Sequence, residues 1–510
     1  MSIEILDERV PMRDGVLLAT DVILDADAGP RPVMLFRTPY SRAEARLVHD
    51  VVGLARGGWA VVVQDVRGRF DSGGTFTPFE QEVDDGFDAI DWCATQPWSD
   101  GRVVMSGWSY LGAAQWYAAL SGHPALKAIN PIVGAGDIGE TMLWEGGAFQ
   151  VGLVQPWVLG LASSDPTASQ ELRERAGDIG GRWWEALRAA PADDPAVPLS
   201  VPYAAWRRGQ FSVRDVSQVQ VPAFQIAGWY DIFLESSLRH WSACGGVLVI
   251  GPWSHSNQLS NLHADYDFGA AGSGAYGGVL EQAIDWMRGV ADGQKVESEI
   301  RCFVMGEGWR VLTCWPPPSE PMVLRLGDGG VLSARAGSGF EVLDHDPTDP
   351  VPTRGGRVLG PFLPMPGPVD QRSVEERPDV LVWTSAPLED DVVVIGLVTA
   401  RIRVESNGRS VDVAVKLCDV HPDERSINIV DSIRRLDVVP GQPVDADVAV
   451  GSTAWRFPQG HRIRVEVAGS NFPRFDVNPS TGEPPGTARH LLPAVHRIHC
   501  ASSAITLPTV

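Results

Sequence analysis

No C-x-x-C pair occurs in this sequence: its six cysteines (Cys93, Cys244, Cys302, Cys314, Cys418, Cys500) are scattered along 510 residues. Clustered metal or redox cysteine motifs are excluded, and buried free thiols in a reducing compartment are expected, with no metal and no cofactor. No apolar run approaches the ~18 residues of a membrane span. The opening "MSIEILDERVPMRDG" lacks the basic and then apolar stretches of a secretion signal. These absences lead to the expectation of a cytoplasmic protein with no membrane partner. Positive charge is scarce: 42 Lys and Arg stand against 64 Asp and Glu, a formal charge of −22. Phosphates need Lys and Arg, so nucleic acid and anionic membrane surfaces are excluded as partners, and the charge reads as solubility. Internal repeats and low-complexity tracts are also missing.

What is present is a chain too long for one core, with an α/β pattern in its first third. "PVMLFRTPY" (32–40), "WAVVVQDVRG" (59–68) and "GRVVMSGWS" (101–109) are short, apolar and bounded by Gly or Pro, as buried parallel strands are. Between the last two, "EQEVDDGFDAIDWCATQ" predicts a helix with Val83, Phe87, Ile90 and Ala94 on its apolar face. "KAINPIV" (127–133) is a further strand. From about 137 the text turns helical and aromatic, with no convincing strand. Strands resume in "QVPAFQIAGWYD" (220–231) and "GGVLVIGPWSH" (245–255). A helical stretch inserted between strands of one sheet predicts a cap. After "CWPPPSEP" (314–321) period-2 alternation takes over. Val411, Val413, Val415 and Leu417 share one strand face, as do Ile463, Val465 and Val467. One packed and one wet face are expected, which suits an antiparallel sandwich. The expected units are 1–136 and 218–315 for the sheet domain, 137–217 for the cap and 322–510 for the β domain.

The stretch "VVMSGWSYLGAAQ" (103–115) carries the chemistry. A strand that ends in Gly-Trp-Ser and feeds a helix fits a nucleophile elbow, with Ser109 lifted above the C-terminal edge of the sheet. The motif departs from G-x-S-x-G, because Leu111 holds the last place and the second glycine is Gly112. The Tyr110 N–H, at the helix start, is placed to meet a developing oxyanion. A serine nucleophile needs a base and an orienter, and in α/β-hydrolases the chain order is Ser, Asp or Glu, then His. Asp231 follows one resumed strand and His255 the next, which makes Ser109, Asp231 and His255 the candidate triad.

Together "GWSYLG", "AGWYD" and "GPWSH" resemble the cocaine-esterase and X-prolyl dipeptidyl-peptidase family of serine hydrolases. So do "RTPY" (37–40), "QDVRGRFDSGGTF" (64–76), "FVMGEGWR" (303–310), "DPVP" (349–352), "DQR" (370–372) and "SNFPRFD" (470–476). The resemblance runs nearly end to end. It implies an α/β-hydrolase domain with an inserted helical cap and a C-terminal jelly-roll β-sandwich. It gives Ser109, His255 and Asp231 the same roles as the reading above. It adds Tyr40, whose hydroxyl would be the second oxyanion donor beside the Tyr110 N–H. It also places Trp144, Trp157 and Phe233 at the substrate pocket, with Leu359 and Phe362 reaching it from the third domain. Trp108 and Trp229 complete the supply of aromatics near the sheet edge.

The leading expectation is a hydrolase of small-molecule carboxylic esters or amides acting through an acyl-enzyme. Three other readings stand beside it. The first is an X-Pro dipeptidyl-peptidase or amino-acid ester hydrolase, for which Asp137, Glu140 or Glu145 would hold an α-ammonium group. The second is an acyltransferase on the same triad. The third is a binding role carried by the jelly-roll. A homodimer is left open.

Overall fold

The computed structural model describes residues 2–164, 169–193, 203–212, 214–257, 259–263, 266–360 and 363–510. A ten-stranded sheet is its frame. The strands are β1 (Ile3–Pro11), β2 (Leu17–Asp25), β3 (Arg31–Thr38), β4 (Ala60–Asp65), β5 (Ser99–Trp108), β6 (Leu126–Ile132), β7 (Phe224–Tyr230), β8 (Val247–Ser254), β9 (Glu299–Val304) and β10 (Gly308–Leu312). Their spatial order is β1-β2-β4-β3-β5-β6-β7-β8-β9-β10. Every neighbouring pair from β4 to β9 is parallel, while β1–β2, β2–β4 and β9–β10 are antiparallel. Strands β3 and β4 are buried along their whole length, the reason their sequences run apolar without alternation. Val33, Leu35 and Val62 face one core, and Met34, Phe36, Val61 and Val63 face another on the opposite side of the sheet.

The helix before β5 is α1 (Glu82–Thr95), and the helix after it is α2 (Tyr110–Leu120). The buried face of α1 is turned from the expected one. Gly86, Ala89, Ile90 and Cys93 are buried, with Glu82 and Asp85 among them, whereas Val83, Phe87 and Ala94 stand at the margin. Two contacts set this rotation. Gly86 lies so close to Ala118 of α2 that a Cβ there would stand 2.7 Å from the alanine methyl. Glu82 turns inward to pair with Arg37 at the core edge, and Asp85 pairs with Arg67 at 2.6 Å.

Between β6 and β7 the chain leaves the sheet for helices, chief among them α3 (Val151–Ser164). A strand pair not foreseen in the sequence opens this stretch: Trp144–Glu145 pairs with Ala148–Phe149. The hairpin is held from outside. The Arg435 N–H donates to the Gly146 carbonyl at 2.8 Å, and Arg474 reaches Glu145 at 2.9 Å. Next come α4 (Leu234–Cys244), after β7, and α5 (Val279–Ala291), after β8.

The rest of the chain forms two antiparallel sheets of seven and four strands. The strand Ser410–Val420 belongs to the four-stranded one and has no wet face. Val411, Val413, Val415 and Leu417 face the sandwich core, as expected. On the other face, Ala414 packs with Ala148 of the hairpin, Val351 and Phe475. Asp412 on that face pairs with Arg435 at 2.7 Å, and Lys416 with Glu466 at 3.2 Å. Polar residues on that face answer partners across an internal contact rather than water.

Candidate active site

Strand β5 ends at Trp108 and α2 begins at Tyr110, so Ser109 alone makes the turn. Its backbone is at φ 58°, ψ −117°, a conformation that costs a non-glycine residue about 1–3 kcal/mol. The turn is overdetermined by its bonds. The Ser109 N–H donates to the Ile132 carbonyl at 2.9 Å, and its own carbonyl accepts from Gly112 and Ala113. Gly107 is needed because a Cβ there would meet Leu111 Cβ at 2.6 Å. The one-residue shift of the second glycine also has a cause. A Cβ on Gly112 would stand 2.9 Å from the Cα of Gly134, in the loop that follows β6.

Asp231 follows β7 and is fully buried. Its Oδ1 accepts from the Phe233 N–H at 2.8 Å, and its Oδ2 lies 2.7 Å from His255 Nδ1. His255 follows β8, and its Nε2 lies 3.0 Å from Ser109 Oγ. A carboxylate only accepts, so Nδ1 carries the proton that faces Asp231. That leaves the Nε2 lone pair for the serine hydroxyl. Three side chains from three strand ends thus form one continuous hydrogen-bonded line.

Two tyrosines flank the serine. The Tyr110 phenol is anchored away from it, donating to Glu82 Oε1 at 2.9 Å and accepting from the Phe79 N–H at 3.0 Å. Burial, and then the charge of Glu82, push the Tyr110 phenol well above its usual pKa, so it stays protonated. What Tyr110 brings to the turn is its backbone N–H, the first of α2. Tyr40 sits across from it, its ring 6.4 Å from that of Tyr110 and its side chain on the wall of the same pocket as Ser109. Burial raises the Tyr40 pKa, so it too remains a neutral phenol. The Trp157 indole N–H donates to this hydroxyl at 3.1 Å. The phenolic oxygen accepts there, which leaves its own proton for another acceptor.

A tight apolar pocket lies beside Ser109, walled by Phe79, Ile138, Met142, Leu153, Trp157, Ile232, Phe233 and Leu359. A wider cavity of about 380 Å³ shares Tyr40, Leu153, Trp157 and Leu359 as walls and adds Pro156, Leu161 and Ser164 from α3 together with Glu44. Of the expected pocket residues, Trp157, Phe233 and Leu359 stand on these walls. Trp144 does not; it is buried in the core against Phe149, with its indole N–H on the Trp206 carbonyl at 2.8 Å. Trp229 is also core, bonded to the Phe303 carbonyl, and Trp108 is partly buried against the core beyond β6. Phe362 lies outside the described residues. Leu359 arrives on a loop pinned by Arg357, which donates to the Trp229 carbonyl at 3.0 Å and pairs with Glu235 at 2.8 Å.

The three acidic residues considered for an α-ammonium group are not on the pocket walls. Asp137 is paired with Arg239, Glu145 with Arg474 at 2.9 Å, and Glu140 is exposed. Glu82 is the polar residue that reading the sequence missed. Its signal was present: it shares a helical stripe with Gly86, Ala89, Ile90 and Cys93, and a carboxylate on an apolar stripe implies a buried partner. Phe79, Ile138, Met142, Leu153 and Ile232 carried no comparable signal.

The chain's relatives match this architecture. Residues 14–257 match the X-Pro dipeptidyl-peptidase (S15 family) profile, and residues 293–504 match the X-Pro dipeptidyl-peptidase C-terminal non-catalytic domain. The cocaine esterase of Rhodococcus sp. (strain MB1 Bresler) is 34% identical over 570 aligned residues, which cover 98% of this chain and 97% of that protein. Among solved structures, an α-amino acid ester hydrolase superposes with a TM-score of 0.77 at 25% identity, covering 100% of this chain and 97% of its own. An aminopeptidase from the marine sediment archaeon Thaumarchaeota archaeon shares the fold, with a TM-score of 0.81 at 23% identity over 100% and 96% of the two chains. With an α/β-hydrolase sheet, a C-terminal β unit and this likeness along its length, the chain belongs to the X-Pro dipeptidyl-peptidase and cocaine-esterase (S15) family and is a serine hydrolase.

Proposed function

We propose that this enzyme hydrolyses carboxylic esters whose acyl part is neutral and apolar. Ser109 is the nucleophile, His255 the general base and Asp231 its orienter. The Tyr40 hydroxyl and the Tyr110 N–H are the oxyanion donors. The observation that carries the reading is the unbroken line Asp231–His255–Ser109 beside walls that are apolar.

Ser109 Oγ attacks the ester carbonyl as His255 Nε2 takes its proton. The imidazolium that forms is held by the Asp231 carboxylate. The carbonyl oxygen becomes an oxyanion between Tyr40 and the Tyr110 amide; one such donor contributes about 2.7–4 kcal/mol to the transition state. His255 then gives its proton to the leaving alcohol, and the same base activates a water that releases the acid.

The peptidase alternative asks for a free carboxylate near the acyl side. Asp137 and Glu145 are already neutralised by arginines and Glu140 is off the pocket walls, while Glu44 stands only on the wider cavity and not on the pocket beside Ser109, which favours the ester reading. In this scheme residues 137–217 act as a cap over the site, and 322–510 form the jelly-roll that carries the Leu359 loop. Six free cysteines, four of them buried, fit a cytoplasmic setting.

The test is a panel of neutral aryl esters, aminoacyl esters and X-Pro anilides, run with a Ser109→Ala control. Neutral aryl esters should turn over fastest, X-Pro anilides should be inert, and the alanine variant should be silent throughout. Faster cleavage of X-Pro anilides, or full activity in the alanine variant, refutes the proposal.

A further inference from the structure

A second histidine–carboxylate cluster lies far from Ser109 in sequence, in the C-terminal β unit. Asp419 is buried near the end of the strand Ser410–Val420, and His421 opens the turn that follows. His461 immediately precedes the paired strand Arg462–Ala468, whose first residue stands opposite Val420. This register brings the two imidazoles together, with ring centroids 4.5 Å apart and planes tilted by 47°. His461 Nδ1 lies 2.8 Å from Asp419 Oδ1, and the Trp455 indole N–H donates to Asp419 Oδ2 at 3.1 Å. One ligand-capable atom of each of Asp419, His421 and His461 lies within 4.8 Å of the other two.

Two features separate this cluster from an ordinary polar patch. His421 Nε2 is buried without a hydrogen-bond partner among the described residues. A buried imidazole nitrogen left unpaired is costly, and such orphans mark a missing partner. Asp419 also has no arginine or lysine in salt-bridge contact among the described residues; the ion-pair partner it has is His461. The neighbouring cluster Glu375, Cys418 and Glu466 makes the contrast. There Lys416 sits 3.2 Å from Glu466 and Arg464 pairs with Glu375, so the cations are already in place. Nearby Arg425 is taken up by Asp423 at 2.8 Å.

We propose that Asp419, His421 and His461 bind a divalent first-row transition metal ion, Zn²⁺ above others. Two imidazoles and one carboxylate form a borderline donor set suited to that ion. Ligand atoms about 2.0–2.2 Å from a tetrahedral zinc stand about 3.3–3.6 Å apart, so binding draws the three donors together from a spacing that is already within 4.8 Å. On binding, His461 carries its ring proton on Nε2 rather than Nδ1, which frees the Nδ1 lone pair for the ion; protonation of either imidazole competes with the ion, so affinity falls with acidity. The ion ties the 421–425 turn to the strand pair. Tyr266, from the segment that follows His255, packs on Trp455 beside this cluster, with centroids 5.8 Å apart. The role is thus structural.

The test uses the full-length protein stripped with a chelator and titrated with Zn²⁺ or with Co²⁺, whose absorption reports ligand type. One equivalent should bind, raise the melting temperature and, for Co²⁺, give an imidazole-ligated spectrum. His421→Ala lies on a turn and should fold; it should weaken binding at least 50-fold and abolish the thermal shift. His461→Gln should do the same, which guards against a defect peculiar to one variant. If the wild-type protein binds neither ion, or binds it equally in both variants, the proposal is overturned.

Discussion

Among the described residues, two Asp–His pairs made through Nδ1 share almost the same geometry. His255 Nδ1 lies 2.7 Å from Asp231, and His461 Nδ1 lies 2.8 Å from Asp419; both carboxylates are buried. What the far nitrogen of each imidazole faces separates them. Beyond His255 stands Ser109, held at positive φ on an elbow with an amide and a phenol beside it. Beyond His461 stands another imidazole, and the second oxygen of Asp419 is spent on a tryptophan. A histidine–carboxylate dyad is thus only a way to orient an imidazole. Whether it becomes a base or a ligand depends on what the other nitrogen faces.

The sharpest break between the two is made by removing each carboxylate. Asp231→Asn keeps the shape but lets the imidazole take the wrong tautomer, so kcat should fall by about 10⁴ with little change in KM or melting temperature. Asp419→Ala should instead leave the Trp455 and His461 N–H groups without an acceptor and cost about 1–3 kcal/mol of stability, seen in denaturant unfolding. A loss of turnover per folded molecule in the Asp419 variant would erase the distinction.

A smaller effect separates the donors around the serine. Tyr40→Phe should lower kcat and kcat/KM together by about 10²–10³, with the ring still packed. Steady-state kinetics and a melting curve on one preparation decide it, since a merely structural hydroxyl would move the melting temperature and leave kcat alone.

Smaller still is the effect of Trp157→Phe, which keeps an aromatic wall but removes the N–H held by Tyr40. A lost hydrogen bond of about 0.5–1.5 kcal/mol predicts a drop of about tenfold or less in kcat. If KM rises and kcat does not, Trp157 serves only as wall.

The least effect, and none on chemistry, concerns a buried carboxylate with no imidazole at all. Asp65 ends β4, accepts the Arg42 N–H at 2.6 Å, and is pushed by burial to a pKa of about 7. Between its ordinary value near 3.8 and about 7 the folded chain holds a proton that the unfolded chain has lost. Stability from this group therefore falls as pH rises through that window. Asp65→Asn should flatten the decline by roughly 1–3 °C in melting temperature between pH 5 and 8. An unchanged profile would show that Asp65 ionises normally.

Much of this was legible in the amino-acid order. Strand β5, its glycine and the helix after it marked Ser109, and the ends of β7 and β8 marked Asp231 and His255, because a strand's length and a turn's residues are local properties. The rotation of α1 was not legible. Its apolar residues allowed one face, yet Gly86 against Ala118 and Glu82 against Arg37 chose another. Nor was the place of Trp144: a tryptophan in this stretch reads the same whether it lines a pocket or, as here, is buried against Phe149 with its N–H on the Trp206 carbonyl.

By itself, then, the sequence determined a parallel sheet with a serine lifted at its edge, a helical insertion and an alternating β unit. The dihedral choices and apolar periods that specify these act over a few residues. Tertiary structure decided which polar groups are answered and by whom. Trp157 meets Tyr40 across 117 residues, Arg474 meets Glu145 across 329, and the face of Ser410–Val420 that its alternation offers to water is covered by the hairpin at Ala148. Periodicity reports how an element presents its faces. What stands opposite each face is set by packing, because burying a polar group is tolerable only where a partner from another part of the chain has arrived.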